Sequence, residues 1–179
     1  MALLNASNAN AAQSLCGASS KIDTYAQLGS ARRTFLFFDV YDVALYIPRQ
    51  DVARLSASTN RATHILNSRQ SKQLYLKYAR DIGVKKVREV LRDGFQNNAS
   101  AEQWMRQQDR FERFTAKISS DISEGDQLVL AWSEACGLQV QLNGALVLED
   151  GDPEFTRILL SIWLGDQAVV EREALLGLP

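Results

Sequence analysis

LGSARRTFLFFDVYDVALYIP, residues 28–48, is the stretch on which the fold turns. Its Phe, Val, Tyr and Ile residues suit a pleated, half-buried surface and predict a strand over 34–47, ended by Pro48 and interrupted by Asp39 and Asp42. Arg32 and Arg33 stand directly ahead of that run. An unpaired buried guanidinium is too costly to keep, so an arginine here must stay at the wet edge or meet an anion inside. Neighbouring residues on a strand face opposite ways, which separates the pair, Arg32 outward if Arg33 points in.

Outward from this stretch, 51–67 has helical composition broken by Ser and Asn, and reads as one interrupted helix. KQLYLKY (72–78) sets Leu74, Leu76 and Tyr78 against Tyr75 and Lys77, the alternation of a half-buried strand. Val84, Val87, Val90, Leu91 and Phe95 recur at helical spacing in a helix that fades over 94–98. Ser100 with Gln103 forms a capping box for a second helix, whose stripe runs through Trp104, Gln108, Phe111, Phe114 and Ile118. Short alternating strands follow at 127–132, 138–142 and 145–148, the last two joined by the hairpin signal Asn143-Gly144. Asp152 as N-cap and Pro153 behind it open a helix through Ile158, Leu159, Ile162 and Trp163 that Gly165 closes, with a short helix around 170–176. Strands, two helices, strands and a helix, without regular βαβ alternation, define an α+β fold with an antiparallel sheet.

The chain has 179 residues, enough for one domain with a substantial core, and we place that domain at 25–179 behind a small, polar leader at 1–24. The leader lacks the basic start and apolar core of a complete secretory signal, although NANAA has the character of a cleavage region. A trimmed signal would place the protein in the periplasm or outside the cell. A net charge of -1 argues against a nucleic-acid partner, and no apolar run reaches the length of a membrane span. Cys16 and Cys136 fit either one disulfide or two unrelated thiols. The single histidine, His64, reads as a partly exposed helix residue, and no motif for phosphate, metal or nucleophilic catalysis occurs; neither a metal nor a cofactor is expected.

Three segments together resemble one family. GSARRTFLFFDVYDVALYIP, LYLKYARDIGVKKVREVLRDGF and FTRILLSIWLGDQAVVEREALLGLP are similar to the strand, the central strand and helix, and the terminal SIWLGD segment of bacterial chalcone isomerase-like proteins. The resemblance implies an open-faced β-sandwich, a large antiparallel sheet carrying helices on one face with a ligand cleft between. It also implies roles. Arg33 falls on the arginine that steers cyclisation in plant isomerases and grips the carboxylate in fatty-acid binders. Tyr41 falls on a carboxylate-binding tyrosine of the binders, and Lys86 on an active-site lysine of the enzymes. Ser161 falls on a hydroxyl residue of the cleft, while the plant catalytic tyrosine falls at Gly83.

The resemblance therefore favours a non-catalytic binder of a fatty acid or other small amphipathic carboxylate, with Arg33, Tyr41 and Ser161 as ligand contacts. The alternative is an isomerase, an intramolecular lyase using Arg33 and Lys86; a third reading is a scaffold with a collapsed cleft. Two features bear on the first. One straight strand would hold Arg33 and Tyr41 roughly 27 Å apart, too far to share an anion, so the chain must fold back between them. Asp39 and Asp42, if at the cleft mouth, would repel such an anion. Ligand identity and oligomeric state are open at this level.

Overall fold

Residues 28–48 do not run as one strand. In the computed structural model, which describes residues 24–56 and 60–178, they form most of a hairpin of β1 (Tyr25–Phe35) and β2 (Phe38–Pro48). Phe35 pairs with Phe38, so the turn is Leu36-Phe37, with Leu36 at φ 57°. The single strand expected over 34–47 is thus corrected. Nothing in the composition of FLFF marks a turn: a leucine in the left-handed region is strained by about 1–3 kcal/mol, and turns normally place Gly or Asn there. The remaining strands are β3 (Lys72–Tyr78), β4 (Gln127–Ser133), β5 (Gly137–Leu142) and β6 (Ala145–Asp150). They complete a six-stranded sheet in sequence order, antiparallel at every step. Between β5 and β6 the Asn143-Gly144 turn forms as expected, with φ 50° and 82°.

Helices cover one face of this sheet. The interrupted helix over 51–67 resolves into α1 (Val52–Ser56) and α2 (Arg61–Asn67), the second capped by Asn60, which accepts from the Thr63 amide. Next come α3 (Val84–Asn97) and α4 (Ala101–Ala116), the latter opened by the Ser100/Gln103 capping box. Gly94 does not end α3. A Cβ there would lie 3.0 Å from Ile162, so the glycine lets α3 settle against the last long helix, α5 (Pro153–Leu164). On α4 Gln107 is buried rather than Gln108, and its amide donates to Asp152 and Glu154 at the start of α5. From Phe155 to Leu164 every residue of α5 except Arg157 is buried, among them Phe155, Ile158, Leu159 and Leu164 at 1% exposure or less. Opposite stand Val43, Leu45, Leu74, Leu76, Leu138 and Val140 of the sheet. The other face carries Arg32, Asp42, Tyr75 and Lys77 to solvent. The architecture is α+β, an open-faced sandwich.

The end of the chain seals the edge of the sheet. The short α6 (Arg172–Leu175) lies against β1, and a Cβ on Gly29 would come within 2.2 Å of the Ala174 carbonyl oxygen. Arg61 Nη1 donates to the Leu176 and Gly177 carbonyls, at 2.8 and 3.1 Å. The leader, apart from Thr24, and the Cys16 half of any Cys16–Cys136 pair lie outside the described residues. Gly29→Ala should force this edge apart and cost about 1–3 kcal/mol, read as a lower urea midpoint, whereas Ser30→Ala on the open face should change it little.

Candidate functional site

Two bulges shape the site. Arg33 pairs with Tyr41 and Thr34 with Asp39, which leaves Val40 as an extra residue in β2. Simple alternation would turn Asp39 to the same side as Tyr41; the extra residue turns it to the other side and brings Val40 beside Tyr41. Asp39 and Asp42 then share the open face with Arg32, whose guanidinium lies 2.8 Å from Asp39 and 2.7 Å from Asp42. The expectation that these aspartates stand at the cleft mouth is corrected. Their partner Arg32 is correspondingly held further up in pKa, first by the Asp42 hydrogen bond. A second bulge, between Val140 and Gln141 pairings, leaves Val147 extra in β6 and sets it beside Leu148.

Val40, Tyr41, Val147 and Leu148 all line a cavity of about 630 Å³ between sheet and helices. Leu130 and Val140 form its floor, with Val87 and Leu91 of α3 and Leu159, Ile162 and Trp163 of α5 opposite. The strand ends supply its polar row: Arg33, Tyr41 and Tyr78 are cross-strand partners on β1, β2 and β3, and all three line the cavity. The fold-back required between Arg33 and Tyr41 is therefore present, and the two residues face each other across the hairpin.

The segment containing SIWLGD locks this row. Arg33 Nη1 donates to the Val169 carbonyl at 2.6 Å, and Trp163 Nε1 donates to the Tyr41 hydroxyl at 2.9 Å. These bonds leave capacity unused. Arg33 makes no further hydrogen bond among the described residues, and the Tyr41 hydroxyl, an acceptor from Trp163, keeps its own hydrogen to donate. Burial pushes the Tyr41 phenol up to about 12, against the opposing pull of the Trp163 bond and the Arg33 charge. Tyr78 stacks edge-on to it at 5.5 Å and is likewise pushed up by burial, with Tyr41 adding to the shift. The row is thus one permanent cation beside phenols that hold their protons at any ordinary pH. Such a set of donors is suited to grip an anion.

The other expected residues are placed differently. Lys86 reaches the cavity rim, exposed and 2.7 Å from Glu89. Gly83 also lines the cavity, and a Cβ there would meet only Asp121 Oδ1, at 3.9 Å. Ser161 does not line it; the residue is buried on α5 and its hydroxyl donates to the Arg157 carbonyl at 2.8 Å. Gly165 ends α5 at φ -84°, so it serves no left-handed turn; its lack of a side chain matters because a Cβ there would lie 2.4 Å from Asn98 Oδ1. Tyr78, Arg80 and Lys117 join the lining without having been singled out by sequence. Period two marks Tyr78 as inward, but its rank beside Tyr41 depends on a register that only pairing reveals.

A family model described as chalcone isomerase-like matches residues 19–177. Among solved structures, the chain is similar to a fatty-acid binding protein of Arabidopsis thaliana at 16% identity and a TM-score of 0.70, over 87% of this chain and 88% of that one. No curated protein matches. An ultraviolet titration should show a tyrosine step at about 12 that Tyr41→Phe removes; an unchanged curve would mean that the phenol is not held as described.

Proposed function

We infer that this chain, which belongs to the chalcone isomerase-like family, is a non-catalytic member that holds a fatty acid or similar amphipathic carboxylate in its cavity. The observation carrying this reading is the row Arg33, Tyr41, Tyr78 at the edge of an apolar cavity of about 630 Å³. That volume falls within the roughly 300–1,000 Å³ range of small-molecule sites. A carboxylate at the row would take the unused Arg33 donors and the Tyr41 hydrogen, two charge-assisted bonds, while its chain lies along Leu130, Val140 and Leu159. The similar Arabidopsis structure is named a fatty-acid binding protein, which supports the ligand class. Ser161 enters the proposal only as a buried helix hydroxyl behind the wall.

An isomerase has less support. Its enolate would need a donor where Gly83 offers no side chain, and loss of one such donor costs on the order of 10²-fold or more. Lys86, the second cation of that mechanism, is engaged with Glu89 at the rim.

Native mass spectrometry of mildly purified protein should show a co-purified lipid, and a fluorescent fatty acid should bind. Arg33→Ala should weaken binding by about ten-fold or more, while Arg32→Ala, on the opposite face, leaves it intact. Equal affinity in wild type and Arg33→Ala would sink the reading, as would turnover of chalcones at enzymatic rates. Binding should also stay flat from about pH 6 to about pH 10. The Tyr41 proton is retained up to about 12, and only below about pH 5 does the ligand carboxylate itself become protonated.

A further inference from the structure

The tip of the β1–β2 hairpin is apolar and bare. Phe35, Leu36, Phe37 and Phe38 are 56%, 75%, 97% and 55% exposed, consecutive in sequence and projecting from the end of the sheet. Scattered exposed hydrophobics are ordinary, but a continuous run at a hairpin tip is not. The backbone adds a second observation. The chain makes its other hairpin of the same loop length with Asn143-Gly144, residues that accept positive φ, yet here it keeps Leu36 at φ 57°. Asparagine or glycine would relax that turn, so the apolar side chain is retained against local preference.

We propose that this tip inserts into a lipid bilayer surface and sets the cavity mouth against the membrane. The placement of the tip supports a bilayer over a protein partner. Phe35, at the base of the turn, itself lines the cavity, together with Arg33, Arg80, Lys86 and Lys117. Arg80 lies over the Phe38 ring at 4.7 Å, holding a cation directly behind the apolar tip. Arg80 and Lys117 form no ion pair among the described residues and can meet phosphate headgroups once the tip is buried. The acids nearby are engaged with backbone: Asp81 accepts from the Glu124 amide, Asp121 from Val84 and Asp126 from Ser123. Asp93 remains on the cavity wall, and Asp39 is paired with Arg32. Leu36 and Phe37 protrude from a narrow turn, which suits a deformable hydrocarbon layer better than the flat face of a folded partner. The proposal extends the ligand reading, since a cavity for amphiphiles that opens beside an inserting tip can exchange them without a passage through water.

Its test stands apart from that reading. Full-length protein is sedimented with vesicles of phosphatidylcholine, with and without phosphatidylglycerol, beside the double variant Leu36→Asn and Phe37→Ser. Neither residue lines the cavity, and asparagine suits the turn, so the variant should fold and keep its affinity for a soluble fluorescent fatty acid. Wild type should bind vesicles, more tightly with the anionic lipid, and the variant should bind about ten-fold or more weakly. Absence of wild-type binding, or equal binding by the variant, would overturn the proposal. So would a wild-type dimer that the variant abolishes while vesicles stay unbound, which would assign the tip to a second copy of the chain. Vesicle binding without fatty-acid binding would retain the tip and reject the ligand.

Discussion

The clasp between the first hairpin and the segment after α5 is the constraint on which the site depends. Arg33 donates to the Val169 carbonyl and Trp163 to the Tyr41 hydroxyl, so residues more than a hundred positions apart fix one another. Each bond serves two ends. The buried indole N–H and the phenol oxygen would each be costly if unpaired, and satisfying both anchors the C-terminal segment across the cavity edge. The guanidinium is held by a neutral carbonyl and makes no ion pair among the described residues, so no carboxylate there cancels its charge. A carboxylate partner would have given a tidier structural arginine and a poorer anion site.

The rest of the site follows from parity. One extra residue in β2 moves Asp39 out and brings Val40 and Tyr41 together; one in β6 does the same for Val147 and Leu148. Both bulges lie along the cavity, where each adds one side chain to those its strand presents to that face. Asp39, so displaced, joins Asp42 beside Arg32 on the open face. A single register slip in β2 would exchange the two sets and place a carboxylate beside Arg33, which is why the site and the strand pairing cannot vary independently.

Much of this was legible in the chain. The capping box at Ser100 and Gln103, the Asn143-Gly144 turn and the Asp152-Pro153 start were each readable because the signal is local and chemical. The family resemblance selected Arg33 and Tyr41, and with Arg33 assigned to the cleft, period two turned Arg32 to the other face. What was missed depends on the third dimension. The turn at Leu36-Phe37 carries no turn residues, and its hairpin is fixed by pairing along the length of β1 and β2. The end of α3 at Asn97 falls within the expected 94–98, but the reason for a glycine at 94, the approach of Ile162, lies across an interface that propensity cannot see. Ser161 looked available by alignment, but α5 is buried on nearly every side and its hydroxyl turns back to Arg157. Tyr78 was readable as core, not as the third member of a polar row.

The proposed preference for binding over catalysis rests on the protons of the row as much as on any single residue. A general base working near neutrality needs a pKa near the operating pH, and the titratable groups of the row are an arginine and two buried phenols pushed upward. The same burial that disqualifies Tyr41 as a base makes it a dependable donor, since its proton is retained and its oxygen is already oriented by Trp163. Lys86, which could have supplied a second cation, is drawn to Glu89 on its own helix. Desolvation and cross-strand geometry therefore act in one direction: they leave a preorganised set of donors facing an apolar volume, the combination on which the proposed binding of an amphipathic carboxylate rests.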